Sequence, residues 1–510
     1  MNPTLENTLD TNITAHTQAS STFVPTACGL LPEEPLLIEQ SKEGRCGVDL
    51  PALKGTASRT GVAQRETIGL PQVSEQQAIR HFVRLSQRNY SIDAGFYPLG
   101  SCTMKHNPRQ NEKFARFPGF ALAHPLQPES TIQGALALMY ELQQCLATIT
   151  GLPGVSLAPA AGAHGEMAGI MVIRSAHVAK GRARKTVLIP DSAHGTNPAT
   201  AALCGYEIKT IASTKQGFVD VEAFKALLND DVAAMMLTNP STVGLFDPNI
   251  LEISSLLHQA GAYFYCDGAN FNAIVGKVRP ADFGVDVMHI NLHKTFSTPH
   301  GGGGPGSGPI VVTEELAPYL PIPQVIKKND RYHLITESKT SMGRVKGFNG
   351  QFGMFVRALS YALAHGSDGL RQAAEDAVLN ANYIFARLKD LYHAPFEGPC
   401  MHECLLTDKN QKAHGISTME IAKTLIEFGY HPMTVFFPLV VQGAMLIEPT
   451  ESETKETLDQ FIDTMRWIAT EISQGRGDVF KENPRSTPRR KLDEVSAAKY
   501  PKLTWMDLVG

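Results

Sequence analysis

Between residues 132 and 150 apolar side chains recur three and four positions apart, at Leu136, Met139, Tyr140, Leu142 and Leu146, and Gly151 follows. That spacing predicts an amphipathic helix ended by a glycine. Downstream the period changes. Short, mainly apolar runs at 185–189, 233–237, 263–266 and 287–290 each end in turn or polar residues and read as strands, with helical patterns at 166–180, 221–228 and 250–258 between them. Such alternation predicts an α/β domain on a mainly parallel sheet, whose ligand site lies beyond the carboxyl ends of the strands.

The flanks read differently. Residues 1–24 are rich in Asn, Thr and Ser, too polar to offset the entropy of ordering, and are expected to form a flexible tail. From 25 to 125 short apolar segments and many turn residues predict an arm and loops. The sheet domain is expected to occupy 126–335. Residues 336–510 are expected to form a smaller α+β domain, with helices at 370–391, 419–428 and 454–472, a strand at 404–406 and a basic, loop-like end.

Composition narrows the partners. Hydrophobic content of 43% with 19% charged residues is that of a soluble globular protein, and a net charge of −4 gives no electrostatic reason to bind nucleic acid or anionic lipid. The eight cysteines form no CxxC pair, so neither a disulfide scaffold nor a structural metal is expected, and Cys400 and Cys404 read as buried thiols. The first 41 residues lack Lys and Arg but contain Asp10 and four Glu, which fits neither a secretory signal nor a transit peptide. The apolar run 433–441 is too short to cross a bilayer and contains Pro438. A cytoplasmic protein is expected.

The candidate chemistry sits in the loops after the strands. Lys294, in NLHKTFSTPHGGGGPG, follows the fourth strand, and Asp267, in YFYCDGAN, ends the third, 27 residues earlier. Alone, each reads as a surface charge or a turn cap. Together they point to pyridoxal 5′-phosphate (PLP): a lysine can form a Schiff base with the aldehyde, while a carboxylate can face the pyridine nitrogen. At about 4 Å and an effective dielectric near 20, that carboxylate favours a protonated ring by roughly 4 kcal/mol, about 3 pKa units.

Further residues fit the same cofactor. In PAAGAHGEMAGI, Gly162, Ala163, His164 and Gly165 form a small-residue turn leading into the helix predicted from Glu166, whose first backbone N–H groups suit a phosphate. His194, in PDSAHGTNP, can stack on the ring or serve a turn, and Asn239, Ser241 and Thr242, in TNPST, suit the phenolic oxygen. His293 can contact phosphate or substrate, and Gly301–Gly304 permit close backbone approach. Ser101, Cys102, Thr103 and Lys105 form a polar loop able to cover the site. His402 and Glu403 open a strand in the last region, where an interdomain salt bridge is their plainest role.

These strings also resemble a known family. YPLGSCTMKHNPR (97–109), HPLQPESTIQGALALMYEL, AGAHGE, DSAHGTNPAT, TNPSTVGLF, DGANFNAIVG, NLHKTFSTPHGGGGPG, SMGRVKGFNGQFG, MHECLL and LIEPTESE occur, in this order, as in the glycine decarboxylase P-protein of the glycine cleavage system. The likeness is to its separate carboxy-terminal-half subunit, and Phe271 and Cys404 depart from the pattern. The resemblance implies a fold type I PLP-dependent transferase, aminotransferase-like, with Lys294 as the Schiff-base lysine, Asp267 on the pyridinium and His194 as the stacking ring. It implies decarboxylation of glycine, releasing CO2, with transfer of the remaining aminomethyl group to the lipoyl disulfide of the H-protein. It further implies a partner, glycine dehydrogenase subunit 1, in an α2β2 heterotetramer. Another fold type I enzyme, an aminotransferase or amino-acid decarboxylase, and a non-catalytic scaffold subunit are the alternatives.

Overall fold

The computed structural model describes residues 34–49, 51, 69–300, 306–487, 490, 492–505 and 507. The expected tail 1–24 and the glycine run 301–304 lie outside the described residues. The described chain packs as two compact units, one of them Ser91–Arg485. Its large sheet holds β1 Gly154–Ser156, β2 Thr186–Pro190, β3 Glu207–Ile211, β4 Val232–Thr238, β5 Tyr263–Gly268, β6 Val287–Ile290 and β7 Ile310–Val312. Their order in space is β1-β7-β6-β5-β4-β2-β3. Neighbours from β3 through β2, β4 and β5 to β6 run parallel, and β7 and β1 complete the other edge in antiparallel pairs.

Every residue of β2, β4, β5 and β6 is buried, because a parallel sheet carries helices on both faces. Along β4 the side chains alternate between two cores. Met235 and Leu237 share one with Leu142, Leu146, Ile253 and Phe355, whereas Ala234 and Met236 share the other with Ile170, Ile173 and Ala201. The helix expected at 132–150 is found as Gln133–Thr150, and Gly151 ends it with φ 74°. The four expected strands are β2, β4, β5 and β6. The pattern did not expose β3, an edge strand with four of its five residues exposed, nor β1 and β7, three residues each.

After the hairpin β8 Gln324–Lys328 and β9 Arg331–Ile335, the chain forms helix Phe352–Leu388. This starts well before the expected residue 370, because Gly366, at φ 62° and ψ −171°, breaks the helix, and the run His365–Gly369 reads in sequence as a turn. β10 Cys404–Thr407, β11 Thr434–Val435 and β12 Ala444–Ile447 make a small antiparallel sheet in the order β10-β12-β11. Helices Thr418–Glu427 and Lys455–Ser473 cover it, and Ile384, Leu388, Leu406, Ile421, Met445, Phe461 and Ile462 form its core. This is the expected mixed α/β architecture, a mostly parallel sheet joined to a smaller α+β layer.

The second unit comprises the described residues up to Tyr90 and from Ser486 onward. Its helix Glu75–Ser86 opens with a Ser74–Gln77 capping box. Glu34 ties it down by accepting from Arg84 at 2.6 Å and contacting His81 at 3.0 Å. Among the described residues no helix is long and apolar enough to cross a membrane.

Candidate active site

The strand directions bring the sequence-predicted residues to one rim. β1, β2, β4, β5 and β6 all point their carboxyl ends the same way. The segments leaving them carry Gly162, Ala163 and His164 (after β1), His194 (after β2), Asn239 and Thr242 (after β4) and Lys294 (after β6). Asp267 lies near the end of β5, in register with Thr238 of β4 and His289 of β6. Lys294 occupies the single helical turn Leu292–Thr295, and its Nζ donates to the Ser101 carbonyl at 2.8 Å.

Asp267 is buried and its carboxylate is well supplied with donors. Oδ2 accepts from Asn197 Nδ2 at 2.9 Å, Oδ1 accepts from the Ala269 N–H at 2.9 Å, and His289 Nε2 lies 3.4 Å from Oδ1. Burial opposes ionisation, but His289, Asn197, Ala269 and Lys294 outweigh it and hold Asp267 below the usual carboxylate range. The His289 ring is itself fixed by Tyr265, whose hydroxyl lies 2.7 Å from Nδ1. A charge so placed persists across the physiological pH range.

Three histidines of the rim, His194, His293 and His300, differ. His194 is exposed, has Thr196 Oγ1 at 2.8 Å from Nδ1, and packs edge-on against Phe437 at 5.6 Å between centroids. Although the side chain is solvent-accessible, the protein packed around the ring disfavours its charged form, and this, opposed by Asp267 and aided by Lys294, lowers its pKa. His293 is pushed down to about 3 by burial and by His300, and His300 to about 4 by burial and Lys294. Both are therefore neutral. His293 Nδ1 accepts from the Ser307 N–H at 3.4 Å, which leaves its one ring proton on Nε2.

Sequence reasoning missed an acidic floor around the loop that follows Tyr97. Neither His402 nor Glu403 forms the expected interdomain salt bridge; His402 Nε2 instead lies 3.7 Å from Glu448 Oε1, beside the same small sheet. Glu403 accepts from the Ser101 N–H at 2.7 Å and from Asn270 at 3.3 Å, and burial followed by the nearby Glu448 raises its pKa well above the carboxylate range. Glu448 accepts from the N–H groups of Cys102 and Thr103 at 3.1 and 2.9 Å and from the Thr103 hydroxyl at 2.5 Å. These bonds hold Ser101 and Thr103 at φ 66° and 50°, a left-handed backbone that costs non-glycine residues about 1–3 kcal/mol each. Lys105, also buried, donates to Glu451 at 2.6 Å, Asn272 and the Thr295 carbonyl at 2.9 Å each, and Tyr361 at 3.1 Å. The signal available in sequence was the placement of acids inside apolar strings, MHECLL and LIEPTESE. Glu166 was missed too. Its Oε1 lies 2.7 Å from Thr196 Oγ1, and its Oε2 accepts from Asn197 Nδ2 at 3.1 Å and Thr200 Oγ1 at 3.3 Å.

The donors present fit PLP. Asn239 Nδ2, Ser307 Oγ, Thr298 Oγ1 and His300 Nε2 are buried and have no hydrogen-bond partner in the described chain; they are donors suited to a ligand with an anionic phosphate and a phenolic oxygen. The approach to the helix start is narrow: a Cβ on Gly162 would meet the Asn291 side chain at 2.8 Å, and one on Gly308 would meet the Ala161 carbonyl at 2.0 Å. Thr242 departs from its expected use, because its hydroxyl donates to the Ser192 carbonyl.

Fold and site define a PLP-dependent enzyme of the aminotransferase type. Residues 165–305 match the family model Aminotransferase class-V, and residues 373–486 match Glycine dehydrogenase, C-terminal domain. A crystal structure of glycine decarboxylase (P-protein) of the glycine cleavage system, in inhibitor-bound form, aligns with TM-score 0.67 at 20% identity over 80% of this chain and 92% of that one, a likeness of fold. A probable glycine dehydrogenase (decarboxylating) subunit 2 of Caulobacter vibrioides is 56% identical over 94% of this chain and 93% of that protein. A protein of the same description from Caldanaerobacter subterraneus subsp. tengcongensis is 52% identical over 92% and 98%. The chain belongs to the glycine dehydrogenase (decarboxylating) subunit 2 family. It is a PLP enzyme of glycine cleavage.

Proposed function

We propose that Lys294 carries PLP as a Schiff base, that Asp267 holds a proton on the pyridine nitrogen, and that His194 lies against the ring. The observation carrying this reading is a buried, ionised carboxylate and a lysine presented by adjacent parallel strands, with the Lys294 charge acting on Asp267. The start of helix Gly162–Ala179, with Gly162, Ala163 and His164, takes the phosphate. The unpartnered NH2 of Asn239, whose Oδ1 accepts from the Asp247 N–H, donates to the phenolic oxygen, while Thr242 positions the Ser192 loop. His293, neutral with its proton on Nε2, is a donor toward phosphate or substrate.

When bound, PLP supplies an electron sink for the pair left as the glycine carboxylate departs as CO2. The Ser101 carbonyl is an acceptor for the free Lys294 amine and would hold it at the rim. Asp267 keeps its partner nitrogen protonated at neutral pH. In the overall reaction the aminomethyl group joins one lipoyl sulfur of an H-protein as the S–S bond breaks, and the other sulfur takes up a proton. Assembly with a subunit 1 in an α2β2 heterotetramer, and a cytoplasmic location, belong to the same proposal; the description "subunit 2" of the relatives supports the former.

Lys294→Ala tests the reading. The variant is expected to lose the visible absorbance of bound cofactor and the release of labelled CO2 from carboxyl-labelled glycine, with unchanged circular dichroism. Absorbance and CO2 release near wild type would refute the Schiff-base role.

A further inference from the structure

Two carboxyl groups face each other across Asn197, and they differ in the support each has for a negative charge. The Nδ2 of Asn197 lies 2.9 Å from Asp267 Oδ2 and 3.1 Å from Glu166 Oε2, so one amide group donates to both. Asp267 has His289 and the Ala269 N–H to support its charge. Glu166, 4% exposed, has no cation within salt-bridge distance among the described residues.

The heavy-atom contacts around Thr196 bear on which group carries a proton. The Thr196 backbone N–H donates to His194 Nδ1 at 3.2 Å, so that nitrogen presents a lone pair. The Thr196 hydroxyl lies 2.8 Å from the same nitrogen, and it bonds there only by donating. Its single proton is thereby used. The 2.7 Å contact between Thr196 Oγ1 and Glu166 Oε1 then needs a proton from the glutamate. Glu166 Oε2 is left as a carbonyl-like acceptor for Asn197 and Thr200, which matches its two donors.

We propose that Glu166 is a positioning residue held as a neutral carboxylic acid, which, through the Thr196 hydroxyl, fixes His194 as the neutral Nε2–H tautomer. Its importance for the cofactor rests on the stacking role given above to His194. The charged and titratable groups that face Glu166 are Asp267 and Tyr265 from β5, His289 from β6, and His194 through Thr196. Burial and then the Asp267 charge raise the pKa of Glu166, in line with two close carboxyls splitting their affinities for protons. With Glu166 neutral, Asp267 is the one negative charge offered by this pair to the pyridine nitrogen.

The amide in Glu166→Gln reproduces a neutral acid, its NH2 donating to Thr196 and its carbonyl accepting from Asn197 and Thr200, but it does not reproduce a carboxylate. Infrared difference spectra of the full chain, wild type minus Glu166→Gln, are expected to show a protonated-carboxyl C=O band at neutral pH, with and without PLP. Glu166→Gln is expected to bind PLP within about twofold of wild type, and Glu166→Ala about tenfold or more weakly, the equivalent of about 1.4 kcal/mol. Thr196→Val, which removes the oxygen receiving the proton, is expected to shift the band. A difference spectrum without the band, a band unmoved in Thr196→Val, or a Gln variant as impaired as Ala overturns the proposal. The band measured without PLP stands apart from the roles of Lys294 and Asp267, so the two readings can fail separately.

Discussion

Asp267→Asn isolates the charge at the pyridine nitrogen while keeping the shape of the side chain. Asp267 spends its two oxygens as acceptors, toward Asn197 Nδ2 and the Ala269 N–H, with His289 Nε2 at 3.4 Å. An asparagine must turn its NH2 toward one of these donors, a mismatch of about 1–3 kcal/mol. The larger effect is electrostatic. Losing a full charge about 4 Å from the ring nitrogen at an effective dielectric near 20 removes roughly 4 kcal/mol, about 3 pKa units of support for the protonated ring. If all of this reaches the barrier, the rate of glycine decarboxylation falls by up to about a thousandfold at about 1.4 kcal/mol per decade. The assay is a pH titration of the bound-cofactor absorbance, combined with CO2 release from labelled glycine and a thermal melt of the apo chain. The expected result is a ring titration moved down by two to three units (~3 by the same Coulomb estimate), a large loss in kcat and a modest loss in melting temperature. A variant whose ring titrates as in wild type and whose kcat is within a few-fold would refute the assignment of Asp267 to that nitrogen.

Other consequences concern the groups around the rim. Lys105→Met leaves Glu451, a partly buried carboxylate whose side chain is 12% exposed, without its ammonium partner and is expected to destabilise the chain by up to about 3–5 kcal/mol, measured by denaturant unfolding; adding Glu451→Met should restore much of it. If the single variant unfolds like wild type, the ion pair is not coupled to the fold. His293 and His300, pushed down to about 3 and about 4, bind fewer protons in the folded than in the unfolded state below the ordinary histidine value near 6.5. Their contribution is therefore undiminished above that pH and is lost as pH falls through 6 toward 4. The double variant His293→Gln with His300→Gln is expected to flatten the apo chain's stability loss over that window, and an unchanged slope would contradict the neutral assignment.

How much of this was legible in the sequence depended on how local each cause is. The helix 133–150 and strands β2, β4, β5 and β6 announce themselves because buried elements must carry an unbroken apolar stripe or run. A parallel sheet then sends the residues after those runs, His194, Asn239, Asp267 and Lys294, to one rim, so their convergence followed from order along the chain alone. The edge strand β3 was silent because its exposed residues answer to no core. The floor beneath Lys294 was silent for another reason. Ser101 and Glu403 are 302 residues apart, and Lys105 and Glu451 are 346 apart, so nothing in either neighbourhood specifies the other. Glu166 combines the two cases: as the fifth residue of a helix it reads as a surface charge, and only the inward turn of that helix start, toward Asn197 and Asp267, makes it a buried acid. Polar residues set in strings that must be buried, such as Glu403 in MHECLL and Glu448 in LIEPTESE, are the one local trace such sites leave. A buried acid without a nearby cation in sequence needs either a proton or a distant donor, and this chain answers both ways: burial and Glu448 raise the proton affinity of Glu403, and loop N–H groups donate to Glu448.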